Sequence, residues 1–135
     1  MQGRPHLSGQ DCGSWIGGGM VNSGLYFLAA RPGMGKTALA ISIAEYVANN
    51  IGSVAFVSME MSAEQITARR VAAVSKVDSN VILTEAMTDE EYRRTSEAAR
   101  IIGRTPLYVT AGKAYTPGRM ASVVRARKDC RLVVV

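Results

Sequence analysis

The sequence predicts an α/β fold with a parallel β-sheet. Short apolar runs alternate along the chain with segments that carry apolar residues at helical spacing. A glycine-bearing turn joins the first apolar run to the first helical segment, and two later helical segments open on capping-box patterns, at residues 62–65 and 88–91. Strand followed by helix, repeated along a chain, is typical of parallel sheets with right-handed crossovers.

The elements follow one another in that alternation. The predicted strands are residues 25–30, 53–59, 107–110 and 131–135, and the predicted helices run from 36 to 49, from 62 to about 76, from 88 to a stop at Gly103, and from 117 to about 128. Residues 77–87 read as irregular. The first run is apolar throughout, which predicts a strand buried on both faces. The residues expected to face inward are Leu39, Ile43 and Tyr46 or Val47 in the first helix, Ile66, Val71 and Val74 in the second, Tyr92, Ala99 and Ile102 in the third, and Met120, Val123 and Val124 in the fourth.

Size and composition indicate one intracellular, cytoplasmic domain. The chain has 135 residues, of which 47% are hydrophobic, and no apolar run has the length of a membrane span or the pattern of a signal peptide. Residues 1–24 read as a glycine-rich lead-in anchored by Trp15 and Ile16, and residues 25–135 as the domain. Cys12 and Cys130 lack metal-ligand spacing and read as reduced thiols, and His6 has no partner motif.

The segment from Ala30 to Thr37 has the spacing of a phosphate-binding loop. Four residues separate Ala30 from Gly35-Lys36-Thr37, which is the Walker A spacing with alanine in the first glycine position. Gly33 and Gly35 stand where the backbone must curl and approach an anion closely. A chance glycine-rich turn is the alternative, but the predicted strand before the loop and helix after it favour a phosphate site.

Such a loop binds a nucleoside triphosphate mainly through its backbone. Its N–H groups and the start of the following helix present partial positive charge to the phosphates. Lys36 is expected to reach the β- and γ-phosphates, and the Thr37 hydroxyl to take one position around Mg²⁺. The expected ligands of the loop are therefore a nucleoside triphosphate and Mg²⁺, and the resemblance given next implies that the nucleotide is ATP.

The motifs together closely resemble the RecA-like motor domain of DnaB-type replicative DNA helicases. The segments that carry the resemblance are Ala30-Arg-Pro-Gly-Met-Gly-Lys-Thr37, Phe56-Val-Ser-Met-Glu-Met61 followed by Ala63-Glu-Gln65, Thr105-Pro-Leu-Tyr-Val109 and Leu132-Val-Val-Val135. The resemblance extends from about residue 17 to the end, and its most specific part is Ser-Met-Glu-Met. It implies a P-loop NTPase fold in which a parallel sheet is flanked by helices.

The resemblance also implies roles for individual residues. Glu60 matches the glutamate that polarises the attacking water, which makes Glu60 and Lys36 the candidate catalytic residues. The nucleotide-binding residues that it implies are Arg31, Pro32, Gly33, Met34, Gly35, Lys36, Thr37, Ala38 and Arg69. Glu60 as an exposed turn residue, and Arg69 with Arg70 as a solvated pair, remain open alternatives.

Relatives of this kind form hexameric rings on single-stranded DNA, and the loops that contact DNA follow the segment matched here. The same resemblance places the Walker B aspartate just after Val135 and a further strand between the first and last predicted strands. The sheet is therefore expected to have a gap in its middle, with unpaired edges, and the fold to be incomplete at the carboxyl terminus.

A net charge of +5 favours a polyanionic partner without establishing one. Several basic residues lie near the carboxyl-terminal end, and a solvated helix face is favoured for them over a DNA site. They are Arg119, Arg125, Arg127, Lys128 and Arg131.

The function expected from these observations is the ATP-binding portion of an ATP-dependent replicative DNA helicase. Two alternatives stay open: a recombinase or clock-type relative with the same fold and loop, and a module that binds partners without hydrolysing ATP. The Arg-Pro-Gly-Met insert and the Ser-Met-Glu-Met segment argue against the first.

Overall fold

The computed structural model describes residues 19–112, 115–127 and 129–135. Within these ranges helices and strands alternate much as the sequence predicts. The elements, in chain order, are α1 (Lys36–Asn50), β1 (Ser53–Ser58), α2 (Ala63–Ser75), α3 (Ser79–Leu83), α4 (Asp89–Ile102), β2 (Leu107–Ala111), α5 (Pro117–Arg125) and β3 (Cys130–Val134).

The three strands form one parallel sheet with β1 in the centre. The strand order is β2-β1-β3. Phe56 of β1 is level with Val109 of β2 on one side and with Val134 of β3 on the other, and the pairing with β3 shifts between Ser53 and Val54. The predicted α/β class with a parallel sheet is confirmed.

The core is built on β1 and on one side of α1. Residues 54–58 are all buried, and the side chains of Val54 and Val57 are inaccessible to solvent. Helix α1 packs its small and β-branched residues against this strand, and Ile66 of α2 completes the cluster. Because α1 meets β1 here, the amino-terminal end of the helix is held beside the carboxyl end of the sheet.

The prediction of a buried strand at residues 25–30 is wrong. This segment has no regular secondary structure, and all six of its residues are exposed, with 80% of Leu25 and 88% of Phe27 accessible. A strand is stabilised by ladder hydrogen bonds to a neighbour. In the described part of the chain β1 is already paired on both sides, and no strand lies between residues 25–30 and β3.

Helix α1 faces the core with a different side from the predicted one. Ile41, Ala44 and Ala48 are buried together with Val47, whereas Leu39 is 41% exposed and Ile43 and Tyr46 are half-buried. The helix is apolar on two sides, so helical spacing alone does not tell which side meets the sheet.

Helices α2 and α4 begin where their capping boxes predict. Ser62 and Gln65 exchange both bonds of a capping box at α2, and Thr88 and Glu91 do so at α4. The two helices share a second apolar cluster of Val71, Ala98 and Ile102.

Some predicted inward positions of these helices are wrong. Val74 and Tyr92 are 47% and 64% exposed, and Ala99 is also exposed, because the shared faces are centred elsewhere, on Val71 and on Ala98. The segment 77–87, predicted to be irregular, contains the short helix α3.

Helix α5 is capped by Thr116, whose hydroxyl accepts from Arg119 N at 3.3 Å, but it ends at Arg125, before the predicted residue 128. Met120, Val123 and Val124 are half-buried rather than buried. The thiol of Cys130 is free and half-buried. Five residues for which the sequence made a prediction lie outside the described ranges: His6, Cys12, Trp15, Ile16 and Lys128. Among the described residues, no helix combines the length and apolar character needed to cross a membrane.

Candidate nucleotide-binding site

The loop before α1 has the backbone conformation that its glycines allow. Gly33 has φ 78° and Gly35 has φ 84°, both in the left-handed region that side chains with a Cβ rarely adopt. The amide of Met34 donates to the carbonyl of Arg31 at 3.2 Å and closes the turn between them. The chain therefore curls tightly just before the helix begins.

Gly35 is the N-cap residue of α1, and it has no side chain to cap the helix. The first helical bond runs from Leu39 N to Gly35 O at 2.9 Å, and no side-chain hydrogen bond caps this end in the described structure. The amides of Lys36, Thr37 and Ala38 lie in the first turn, where helix geometry supplies no intrahelical acceptor. Donors and helix dipole together make this end suited to an anion.

The space around the loop is open as well. A Cβ placed on Gly33 or on Gly35 would meet nothing within 4 Å. The glycines are therefore required by their backbone angles, and the room in front of them is available to a ligand.

A second element of the site is the turn that follows β1. The hydroxyl of Ser58 donates to Met61 O at 2.7 Å and accepts from Met61 N at 3.0 Å, and Gly112 N donates to Ser58 O at 3.1 Å. Ser58 is buried, so the turn is anchored in the sheet. Glu60 lies within this turn and is exposed to solvent at the carboxyl end of β1.

A groove of about 770 Å³ brings the two elements together. Lys36, Thr37 and Glu60 all line it, so three residues proposed for one site share one surface. Thr37 is half-buried, whereas Lys36 is exposed. The rest of the wall is largely apolar, and Leu39, Ile43 and Tyr46 of α1 contribute to it beside Met59 and Met61. The sequence prediction missed this apolar wall because it placed those three α1 residues in the core.

The remaining predicted site residues lie outside the groove wall. Six of them are exposed in the loop and the first helical turn and do not line the groove: Arg31, Pro32, Gly33, Met34, Gly35 and Ala38. Arg69 is exposed on α2 and does not line the groove. The alternative in which Arg69 and Arg70 form a solvated pair does not hold for Arg70, which is 5% exposed and bonded to Glu45. Its spacing of four from the buried Ile66 was the available signal.

The donor set suits an ion held jointly with phosphates rather than a metal site made of protein groups. Among the described residues there is no group of three or more histidine, cysteine or acidic side chains that could hold a metal. Thr37, in the first turn of α1 and on the groove wall, presents one hydroxyl oxygen. Mg²⁺ is commonly bound through one or two protein oxygens together with substrate phosphates and water.

The basic residues near the carboxyl-terminal end are solvated where the structure describes them. Arg119 lies 5.2 Å from the ring centroid of Tyr115, and Arg127 lies 3.8 Å from that of Tyr108. Arg131 donates to Asp129 at 3.0 Å. These three arginines and Arg125 are exposed.

Comparison with known proteins identifies the family. The family model described as the DnaB-like helicase C terminal domain matches residues 14–135. The chain belongs to this family. The resemblance on which the sequence prediction rested is therefore confirmed.

Similar curated proteins of the DnaB-like family include the replicative DNA helicase DnaB of Rickettsia typhi, 35% identical over 120 residues. The replicative DNA helicase DnaB of Synechocystis is 37% identical over 109 residues, and the replicative DNA helicase DnaC of Bacillus subtilis is 34% identical over 114. The matches cover 81%, 80% and 84% of this chain but 23%, 12% and 24% of those proteins. The chain thus spans a quarter or less of the length of these relatives.

Solved structures support the DnaB-like fold. One solved ATPase domain superposes with a TM-score of 0.65 at 21% identity, covering 77% of this chain and 39% of that one. A DnaB-like replicative helicase, whose structure is described together with its interactions with primase, gives a TM-score of 0.64 at 21% identity and covers 77% and 26%. The RecA-like fold class is therefore confirmed.

Proposed function

We propose that this chain is the nucleotide-binding portion of the motor domain of an ATP-dependent replicative DNA helicase. The observation that carries the proposal is the groove in which Lys36 and Thr37, at the uncapped start of α1, face the same space as Glu60 beyond β1. The residues proposed to bind phosphate and the residue that supplies a carboxylate thus lie on one surface.

The residues divide the work of binding by their chemistry. The loop from Arg31 to Gly35 and the amides of the first turn of α1 bind the phosphate oxygens, and Lys36 places a mobile cation on the β- and γ-phosphates. The Thr37 hydroxyl would hold Mg²⁺ together with the phosphates, and the ion would offset the charge of the triphosphate.

Glu60 carries the hydrolytic step. An exposed carboxylate at a strand end can orient a water molecule and accept its proton as the water attacks the γ-phosphate. The hydroxyl of Ser58 bonds to the backbone of Met61, so the turn that carries Glu60 is held in one conformation. Arg69 on α2 is the second cation of the proposed site.

The wider activity follows the family. We propose that the complete protein acts as a homo-hexamer on single-stranded DNA in the cytoplasm, through segments other than those described here, and that the described arginines of α5 are not its DNA site. A recombinase or clock-type activity is disfavoured by the family match. A chain that only binds partners is distinguished by testing nucleotide binding separately from turnover.

Isothermal calorimetry with ATP and Mg²⁺ tests the proposal on the chain and on Lys36→Ala. The wild-type chain should bind, and the variant should lose detectable binding, because Lys36 is the cation that the loop presents to the β- and γ-phosphates.

The matched control is Lys76→Asn. Lys76 ends α2 in the left-handed conformation, which asparagine tolerates, so the control removes the same charge without strain. Its affinity should equal that of the wild type. Equal affinity in Lys36→Ala would show that the loop is not the phosphate site.

A further inference from the structure

One buried ion pair joins the two helices that carry the proposed site. Arg70 of α2 donates from Nε to Glu45 Oε1 of α1 at 2.5 Å. The side chain of Arg70 is 6% exposed and that of Glu45 is 25% exposed. The other ion pairs of the described helices, Glu90 with Arg93 and Glu97 with Arg100, are exposed and lie within α4.

Stability alone does not account for this pair. Desolvating two charges offsets much of their attraction, so apolar residues of similar volume commonly stabilise a protein as well or better. The pair is also incompletely satisfied, because Nη2 of Arg70 is buried without a hydrogen-bond partner in the described structure. An unsatisfied buried donor adds a further cost. What the pair does supply is a directional link between α1 and α2.

That link joins the phosphate-binding helix α1 to the helix that follows the turn of Glu60, and the chain connects the two only through β1 and that turn. Helix α1 begins with Lys36 and Thr37, and α2 follows the turn that holds Glu60 and carries Arg69 next to Arg70. Successive residues of a helix lie about 100° apart around its axis. Holding Arg70 inward against Glu45 therefore acts together with the buried Ile66 and Val71 to fix the rotation of α2, and with it the direction in which Arg69 leaves the helix.

We propose that the Glu45–Arg70 ion pair is a positioning device that sets α2 against the phosphate-binding helix α1. This rests on the nucleotide-binding function proposed above and extends it to two residues that make no contact with the groove. Arg69 lies outside the groove wall, so its reach toward a bound nucleotide depends on how α2 is rotated. Glu45 and Arg70 are positioning residues and not catalytic ones.

If the ion pair positions α2, its loss should selectively weaken binding of the γ-phosphate. The loop amides bind phosphates that ATP and ADP share, and Lys36 reaches both the β- and the γ-phosphate, whereas Arg69 on α2 would act at the terminal phosphate alone. Releasing α2 should therefore weaken ATP binding and leave ADP binding nearly unchanged. The ratio of the two dissociation constants is a readout that a purely structural role would not move.

The experiment compares the wild type with the double variant Glu45→Met/Arg70→Met. Methionine keeps the length and apolar stem at both positions, and removing both charges leaves neither one buried alone. Thermal unfolding should show a folded protein. Calorimetry with Mg²⁺ should show ADP affinity unchanged and ATP affinity lower by roughly tenfold, the loss of about one charge-assisted hydrogen bond.

Two further variants complete the design. Glu97→Gln/Arg100→Met removes an exposed pair on α4 and should leave both affinities unchanged. Arg70→Lys retains an ion pair with Glu45 and should keep an ATP-to-ADP affinity ratio close to that of the wild type. If the double variant does not fold, this conservative variant still tests the proposal, since loss of the wild-type ratio while the ion pair is retained would contradict a role for the pair.

An unchanged ATP-to-ADP ratio in the folded double variant would overturn the positioning role alone, provided that Lys36→Ala still abolishes binding. Absence of nucleotide binding by the wild type would overturn both proposals.

Discussion

Two runs of equal length, residues 25–30 and β1, differ in burial: the first is exposed and the second is almost wholly buried. The first has the more continuous apolar character, Leu-Tyr-Phe-Leu-Ala-Ala against Ser-Val-Ala-Phe-Val-Ser. Yet every residue of the first is exposed, whereas five of the six residues of β1 are buried. The more hydrophobic of the two runs is thus the more exposed one.

The difference shows that a strand is defined by its neighbours. Strand β1 has a parallel partner on each side and α1 packed against it, so its backbone groups are paired and its side chains are covered. Residues 25–30 have no such neighbours among the described elements. Both runs nevertheless lead, at their carboxyl ends, into parts of the proposed site: one into the glycine loop and the other into the turn of Glu60.

The largest expected effect separates the two runs with the same substitution. Phe56 of β1 is 5% exposed and Phe27 is 88% exposed. Phe56→Ala should lower the free energy of unfolding by about 3–5 kcal/mol, because it removes buried contacts and leaves a cavity. Phe27→Ala should change it by no more than about 0.5 kcal/mol, as for most exposed positions.

Urea denaturation of both variants measures these free energies. Similar losses in the two would show that residues 25–30 are covered in solution and would remove the contrast between the runs.

A smaller effect is expected at the loop to which residues 25–30 lead. Gly35 has φ 84°, and an alanine there should cost about 1–2 kcal/mol in backbone strain. The neighbouring space is open, so the strain should act on the conformation of the loop and weaken nucleotide binding.

The control for Gly35→Ala is Gly118→Ala in α5, where a Cβ also meets nothing within 4 Å and φ is not positive. Calorimetry and denaturation on both variants check this prediction. If Gly35→Ala bound nucleotide with the wild-type affinity, phosphate binding would not depend on the left-handed conformation of residue 35.

The smallest effect on stability is expected at the carboxyl end of β1. Glu60 is exposed, so Glu60→Gln should leave the free energy of unfolding unchanged within about 0.5 kcal/mol. Nucleotide affinity should hold or rise slightly, since a negative charge near the γ-phosphate is removed.

Any ATP turnover should fall by roughly 10², because the amide cannot accept the proton of the attacking water. A phosphate-release assay measures the turnover and calorimetry the affinity. Loss of both would indicate a folding role for the turn and would end the catalytic assignment.

The parts of the fold that the sequence predicted correctly depend on few, local residues. Three helix starts were predicted from patterns of four residues or fewer. They are the capping boxes that begin at Ser62 and Thr88, and the Thr116-Pro117 pair. The loop glycines are equally local, since their positive φ follows from the turn itself. These features need no knowledge of distant contacts, which is why pattern alone located them.

The parts that were missed depend on what an element packs against. Helix α1 is apolar on two sides, and only the position of β1 decides that Ala44 is buried and Leu39 lines the groove. A solvated Arg70 stayed an open alternative because charged residues are usually exposed. Its spacing of four from Ile66 places it on the buried side of α2, but its partner Glu45 lies on another helix, which spacing within α2 does not reveal.

The position of β1 in the centre of the sheet has a consequence for the order of folding. Val54 pairs with Leu107 on one side and with Leu132 on the other, so the central strand can pair only after segments far along the chain have been made. Helices α2 and α4 have their own local starts and contact one another across a shorter stretch. Non-local parallel pairing is slow. As the polypeptide emerges from the ribosome, β1 is therefore synthesised well before its partners and stays open to aggregation until β3 follows.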